Sequence, residues 1–270
     1  QQMSVVKFRE EVSKGQRFEF GKNWKRFLTK LNDERIKQAE NSLKKMFDIE
    51  SLERKTFLDV GSGSGLFSLA ARNLGAKVFS FDFDESSVWC TSELKNRYYE
   101  DDTSWTVTQG SVLDDNFLGT LGDFDYVYSW GVLHHTGEMW RALDNVVELV
   151  KPNGLLFIAL YNHQQFTSNY WTFVKRSYNK YRLIRPFWIL LHFLYPTLPS
   201  IALKYVQNIK PPRGMTIWYD LLDWLGGYPF EVSTPNEIFN FYKSKGFILT
   251  ELKTVGGKWG CNEFVFRRTM

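Results

Sequence analysis

The chain predicts an α/β fold, a mostly parallel sheet with helices on both faces. Three observations carry this. Short apolar runs alternate with segments of helical periodicity from Thr56 to Tyr161. Such alternation builds a parallel sheet with ligands at the carboxyl ends of its strands. The run Phe57-Leu-Asp-Val-Gly-Ser-Gly-Ser-Gly-Leu-Phe67 passes directly from an apolar strand through a glycine-rich turn into helix-forming residues. Finally, 270 residues, 43% hydrophobic and 17% aromatic, suit one such domain with an insertion or a small lid.

Phe8 to Leu31 reads as a partly helical opening segment. Asn32–Phe47 reads as a helix with Asn32 or Asp33 as its cap. Strands are expected at Thr56–Val60, Lys77–Asp82, Trp105–Gln109, Phe124–Ser129 and Gly154–Tyr161. Helices are expected at Leu66–Leu74, Glu85–Tyr99, Asp114–Leu121 and Glu138–Val150, the last ended by the turn Lys151-Pro-Asn-Gly154. After Tyr161 the pattern changes. His163 to Arg213 is rich in aromatic and basic residues and too long for a simple loop. Pro235–Lys245 reads as a helix, and Phe247–Thr254 and Cys261–Arg267 as strands joined at Gly256-Gly257. The expected organisation is a helical cap (1–50), a ligand-binding core (51–162), a helical lid or insertion (163–230) and the rest of the core (231–270).

The chemistry gathers at strand ends. Gly61, Gly63 and Gly65 allow a sharp turn and close approach of a ligand. Asp59 would repel a pyrophosphate there and suits a cationic amine; a turn carboxylate is the plainer reading. Asp82 ends the second strand, Ala76-Lys-Val-Phe-Ser-Phe-Asp82, where an acid can accept hydrogen bonds from ribose hydroxyls. Asp84 competes for that role but sits better as the cap of the next helix. The fourth strand runs into a histidine loop, Asp123-Phe-Asp-Tyr-Val-Tyr-Ser-Trp-Gly-Val-Leu-His-His135.

With these stretches the chain resembles the class I S-adenosylmethionine-dependent methyltransferases, in their quinone-methylase-like branch. The resemblance is close from Lys55 to Tyr161 and looser beyond. It implies a Rossmann-like seven-stranded sheet closed by a C-terminal antiparallel pair, with a helical insertion after strand five. It also implies S-adenosylmethionine as cofactor, S-adenosylhomocysteine as product, and a small-molecule or lipid-like acceptor methylated through oxygen. On this resemblance Asp59, Gly61, Ser62, Gly63 and Gly65 hold the methionine end and Asp82 the ribose. Phe83 stacks on adenine. Ser111 stands where the family often has an acid, with the Val112 backbone at the ring edge, and Trp130 adjoins the cofactor. His135, with His134 as the other candidate, is the expected base; a structural imidazole is the alternative. Tyr161 and Asn162 are expected acceptor contacts, Arg213 would hold an acidic acceptor, and Trp24 or Phe20 would cover the site. Competing readings are a nicotinamide-binding protein, a tRNA-modifying methylase and a catalytically inactive S-adenosylmethionine-binding protein.

Charge is unevenly placed. No acid lies between Glu148 and Asp220, a span with nine basic residues, which leaves 25 basic against 30 acidic residues elsewhere. Local charge points to a partner. Trp171, Val174, Tyr178 and Tyr181 recur at helical spacing as one apolar face, with Lys175, Arg176, Lys180 and Arg182 on other faces. Phe187 to Tyr195 is a second apolar run, far short of the ~20 residues of a membrane span. Residues 168–195 are expected to lie on a membrane surface, to form a lid, or to make a homodimer contact. The apolar run is too long for a solvated RNA-binding face, so nucleic acid is not an expected partner. Cys90 and Cys261 lack metal-ligand spacing, and no metal is expected. Gln1 and Gln2 precede Met3 and read as additions. With mixed, charged residues following, no signal peptide is expected, and the expected location is the cytoplasm.

Overall fold

The computed structural model describes residues 2–194, 217–256 and 260–269. Among them seven strands form one sheet: β1 (Thr56–Val60), β2 (Lys77–Asp82), β3 (Trp105–Gln109), β4 (Phe124–Trp130), β5 (Val150–Tyr161), β6 (Phe247–Lys253) and β7 (Cys261–Arg268). Their order is β3-β2-β1-β4-β5-β7-β6. β7 pairs antiparallel with β5 and β6, and the other pairings are parallel. The expected Rossmann-like sheet is therefore present. Its strand order reverses between β1 and β4, which places the ligand crevice at their carboxyl ends.

The strands alternate their side chains between two cores. Phe57, Leu155, Phe157 and Ala159 face one side with α3 (Asp33–Phe47), α4 (Leu66–Asn73) and α5 (Glu85–Tyr99). Leu58, Val60, Leu156 and Ile158 face the other, with α6 (Asp115–Leu118), α7 (Met139–Asn145) and α11 (Pro235–Ser244). The helix ends follow local chemistry. Asn32 accepts from the Arg35 amide to open α3, and Asp84 accepts from the Ser86 amide to open α5. Thr234 and Glu237 form a capping box on α11.

One expected boundary moves. α7 stops at Asn145, a single 3-10 turn covers Val147–Leu149, and β5 begins at Val150 rather than Gly154. Residues 151–154 bulge out of the β4–β5 pairing, with Asn153 at a φ of +63°. Lys151 is held there by Asp125 at 3.1 Å. The anticipated turn is thus a bulge inside a longer strand.

The opening segment forms α1 (Gln2–Ser13) and α2 (Gly21–Leu28), joined by a strap across the carboxyl edge of the sheet. The insertion forms α8 (Gln165–Lys180), α9 (Arg185–His192) and α10 (Ile217–Gly226). Trp171, Val174, Tyr178, Trp188, Leu221, Leu225 and Phe230 make a third, smaller core between these helices. Tyr181 does not join it. The helix ends at Lys180, and the Tyr181 ring is half exposed. Lys175, placed off the apolar face by its spacing, is nevertheless fully buried. The opposite face of the insertion stays apolar and exposed at Phe166, Phe173, Leu183, Phe187 and Leu190. Arg213, Tyr195 and Gly257 lie outside the described residues. Among those described, no helix is long and apolar enough to cross a membrane.

Candidate functional site

β1 delivers Asp59 to the sheet edge, where it is 2% exposed. Its carboxylate accepts from the Ser68 hydroxyl at 2.5 Å. Ser80 donates to Ser68, and the Trp105 indole donates to Ser80. This relay of neutral donors holds the acid but brings it no positive charge. Burial pushes Asp59 up to about 7.

The turn after β1 is bonded to the neighbouring strand. The Gly61 and Ser62 amides both donate to the Phe81 carbonyl, at 2.9 and 3.1 Å. Gly63 has a φ of +54° and donates to Asp82 Oδ2 at 2.9 Å. The Ser62 hydroxyl turns inward to Thr91 at 2.8 Å, and Gly65 opens α4. Asp82 also accepts from the Asp84 amide at 2.9 Å. Burial first, then the charge of Asp84, pushes Asp82 up to about 7. A buried and a half-buried carboxylate thus flank a glycine turn, and among the described residues no cationic side chain is bonded to either. Such a pair favours a cationic or hydroxyl-bearing ligand over an anionic one.

The strap closes this edge. The Gly21 amide donates to Asp84 Oδ2 at 2.7 Å, so Asp84 serves strap and helix cap together. The Trp24 indole lies over Gly63, where a Cβ would come within 3.2 Å of its Nε1. Arg17 pairs with Glu11 and donates to the His135 and Thr136 carbonyls at 2.8 and 3.1 Å. Its guanidinium also sits 5.0 Å from the Phe83 ring. The strap reaches the insertion as well. Phe18 donates from its backbone to the Tyr228 carbonyl, and its ring sits where a Cβ on Gly226 would be.

On the far side of the turn, β4 delivers Trp130 and the histidine loop. Trp130 donates to Glu263 on β7 at 3.3 Å. Val132 packs directly on Gly61, which has no room for a side chain. The two histidines differ. His134 is fully buried, and its Nδ1 accepts from the Tyr161 amide at 3.3 Å. His135 Nδ1 lies 2.6 Å from the Pro229 carbonyl oxygen, so it must carry the proton, leaving Nε2 as the acceptor. Burial depresses both, His134 far below its ordinary range and His135 to about 3, with Lys175 lowering each further.

Tyr161 at the end of β5 joins these parts. Its ring centroid is 4.0 Å from His134, 5.5 Å from His135, 5.1 Å from Phe230 and 5.6 Å from Trp224. A small cleft opens beside it, lined by Ser168, Trp171, Trp224, Phe230 and Gly260. Asn162 reaches this cleft too, but its amide is committed to the Gly256 carbonyl and to Asn262, which ties β5 to the β6–β7 turn.

At the third strand the Ser111 hydroxyl accepts from the Leu113 amide, and the Val112 carbonyl accepts from Asn145. The structure brings Asp59, the glycine turn, Asp82, Phe83, Trp24 and the histidine loop to one edge of the sheet, linked through Gly63, Gly61 and Arg17. It turns Ser62 and Asn162 toward structural partners. Arg17, Val132, Pro229 and Lys175 were not anticipated. A basic residue in an aromatic opening segment was the available sign for Arg17. Among the described residues no cluster of His, Cys, Asp or Glu could hold a metal ion.

A methyltransferase-domain family matches residues 58–156. The ubiquinone biosynthesis O-methyltransferase of Coxiella burnetii is 26% identical over 188 residues, covering 70% of this chain and 68% of that protein. That of Rhizobium johnstonii is 26% identical over 128 residues, covering 47% of this chain and half of that one. Among solved structures, magnesium protoporphyrin IX methyltransferase from Synechocystis with bound S-adenosylhomocysteine aligns with a TM-score of 0.52 at 14% identity, over 87% of this chain and 83% of the other. An S-adenosylmethionine-dependent methyltransferase from Aquifex aeolicus aligns with a TM-score of 0.51 at 15% identity, over 90% and 97%. The cyclase SpnF shares the fold as well, with a TM-score of 0.54 at 11% identity, over 86% and 80%.

Proposed function

We propose that this chain, a class I S-adenosylmethionine-dependent methyltransferase of the quinone-methylase-like type, methylates an oxygen on a small-molecule or lipid-like acceptor held beside Tyr161. The observation that carries this reading is the pair of acids, buried Asp59 and half-buried Asp82, both raised by desolvation and flanking a glycine turn at the edge where the strand order reverses. Bound there, the cofactor supplies a methyl on a positively charged sulfur, which an acceptor lone pair displaces to leave S-adenosylhomocysteine.

The residues divide the work. Asp59 and the Gly61–Gly65 backbone take the amino-acid end, and Asp82 takes the ribose hydroxyls. Phe83, Ser111 and the Val112 backbone flank the adenine, with Trp130 beside the sulfur. Trp24 and Phe20 exclude water, which would otherwise loosen alignment. His135 keeps its Nε2 lone pair for an acceptor hydroxyl. An imidazole so hard to protonate orients that hydroxyl and shares its proton rather than storing it. His134 is enclosed and its Nδ1 is committed, so it supports Tyr161.

Calorimetry with S-adenosylhomocysteine, S-adenosylmethionine and NAD tests the cofactor. Transfer of label from methyl-labelled cofactor to hydroxylated aromatic compounds tests the reaction. Tight NAD binding without S-adenosylhomocysteine binding removes the reading. Cofactor binding with no transfer to any hydroxyl acceptor removes the O-methylation reading and leaves the cofactor assignment standing.

A membrane-surface role for the insertion is a second reading, favoured by its exposed outer face. Phe166, Phe173, Leu183, Phe187 and Leu190 stand among exposed Arg176, Lys180 and Arg182 on a span with no acid. Apolar and basic side chains together fit an interface with anionic headgroups. The inner face of the same helices, with Trp171 and Trp188 buried, forms a lid.

A further inference from the structure

We propose that Arg17 is a positioning residue for His135, fixing the backbone of the histidine loop from the strap while Pro229 fixes the ring from the insertion. The proposal rests on the reading of His135 as the residue that meets the acceptor.

The histidine loop does not hold its own shape. Leu133–His135 form a single 3-10 turn between β4 and α7. Such a turn is short, and the carbonyls at its end have no partner within it. They find partners on distant elements instead. The Glu231 amide donates to the His134 carbonyl at 3.0 Å. Arg17 Nη1 donates to the His135 carbonyl at 2.8 Å, and Nη2 donates to the Thr136 carbonyl at 3.1 Å. One side chain thus serves two successive carbonyls, which suits a planar fork and not a single ammonium.

The local chain prepares Arg17 for this. α1 ends at Ser13, and Gly15 turns the backbone at a φ of +67°. The Gln16 amide closes the turn on the Glu11 carbonyl at 2.8 Å. Arg17 Nε then donates to the Glu11 carboxylate at 2.6 Å, and the flat guanidinium sits 5.0 Å from the Phe83 ring. Phe83 is braced in turn by buried Phe8 on α1, at 5.4 Å and edge-on. Every part of the guanidinium is engaged, and the side chain keeps only 15% of its surface exposed. Ordering so long a side chain has an entropy cost that an ion pair alone would not offset.

The contacts converge on one ring. Arg17 holds the His135 carbonyl, Pro229 holds its Nδ1, and Phe20 from the strap lies 5.0 Å from its imidazole. Burial first, with the guanidinium charge adding to it, keeps the imidazole neutral. Backbone and ring are coupled, because a shift of the loop carries Nδ1 away from the Pro229 oxygen. Hydrogen bonds weaken steeply with such misalignment. The competing tautomer then gains, with its proton on Nε2 and no lone pair left there for a hydroxyl.

The test reads the imidazole directly, by nitrogen NMR near neutral pH, and needs no acceptor. The chain has four histidines, so labelled histidine gives four imidazoles, and His135→Ala identifies one of them. Wild-type His135 should carry its proton on Nδ1. Arg17→Lys keeps the charge without the fork, and Arg17→Met keeps neither. Both should move the tautomer ratio about fivefold or more toward Nε2–H, with His163 and His192 unchanged. An arginine that only fastens α1 would lower the melting temperature and leave the tautomer alone. A wild-type proton on Nε2, or a wild-type ratio in either variant, overturns the proposal. Should neither variant fold, labelled arginine in the wild-type protein decides. Bonds to both carbonyls give Arg17 separate signals for its two terminal nitrogens, and signals averaged by rotation overturn the proposal. Calorimetry separates the two readings. Normal S-adenosylhomocysteine binding with an unmoved tautomer removes only the role of Arg17, whereas absent binding removes the site reading and the proposal with it.

Discussion

His135 Nδ1 and the carbonyl oxygen of Pro229 lie 2.6 Å apart. Pro229 follows α10 in the insertion, and His135 belongs to the loop after β4. The insertion thus decides which imidazole nitrogen carries the proton, and only Nε2 remains for an acceptor. If the acceptor is a hydroxyl, His135→Ala should lower kcat about 10²-fold while S-adenosylhomocysteine affinity stays within about twofold. Turnover measured at saturating substrates, with dissociation constants from calorimetry, checks this. An unchanged kcat makes the ring structural.

The same residue carries a pH expectation. His135 is lowered from its ordinary value to about 3 in the folded protein. The unfolded chain takes up this proton near pH 6.5 and the folded chain does not. The stability tied to the neutral ring is therefore complete above pH 6.5 and is lost as pH falls from there toward 3. Between pH 7 and 8 His135 contributes no titration, and wild-type kcat should show no limb from it. A kcat limb near pH 6.5 that vanishes in His135→Ala would contradict the depressed value.

Asp59 and Asp82 titrate in the opposite sense. Both are raised to about 7 by burial, well above the unfolded carboxylate. Their ionised forms destabilise the protein, a cost absent at pH 3 and complete above pH 7. A cationic ligand restores the ionised forms and so expels protons. S-adenosylhomocysteine binding should strengthen from pH 6 to 8 and release protons near neutrality, read from calorimetry in buffers of different ionisation enthalpy. An affinity that is flat with pH, with no proton release, would count against both carboxylates as ligands.

The two neighbouring acids should separate by mutation. Asp82→Ala should weaken S-adenosylhomocysteine by about 1–3 kcal/mol through lost charge-assisted bonds. Asp84→Ala should act on stability instead, by about 1–2 kcal/mol, because Asp84 caps α5 and holds the Gly21 amide. Thermal melts and calorimetry on both variants decide; a reversal of the two effects assigns the ribose to Asp84.

If the outer face of the insertion meets a bilayer, the protein should sediment with anionic vesicles and be released by salt. Phe187→Ser with Leu190→Ser removes two exposed apolar side chains, each worth about 1.5–3 kcal/mol on full burial, and should abolish sedimentation. Trp188 is unsuited to this test, because it is buried in the insertion core and its loss would disrupt that core. Wild-type protein that never sediments rules the membrane contact out.

The geometry of the candidate cofactor edge was legible because it is nearly contiguous. Asp59 through Gly65 and Asp82 are tied to strand ends, and strand ends follow from period and punctuation. The geometry around Tyr161 was not. Lys175 differs from Arg176 in burial only because α10 packs over one side of α8, a contact that helical spacing cannot reveal. Asn162 looked available, yet its amide is taken by Gly256 in the β6–β7 turn and Asn262 on β7, 94 and 100 residues away in sequence. β5 begins early because Lys151 finds Asp125, so a Pro-Asn-Gly turn signal became a bulge within a strand. In each case the deciding partner was distant in the chain.

The strap is fastened where the chain offers no side chain. A Cβ on Gly21 would come within 2.5 Å of Ser86, and one on Gly226 within 2.1 Å of the Phe18 ring. Both joints depend on missing volume. Conventional alanine scanning, which deletes atoms and conventionally skips glycine, would report the strap as tolerant at these points. A library that adds atoms would find them among its least permissive positions. The closure of this protein is recorded in its sequence as gaps, and only substitutions that fill them will read it.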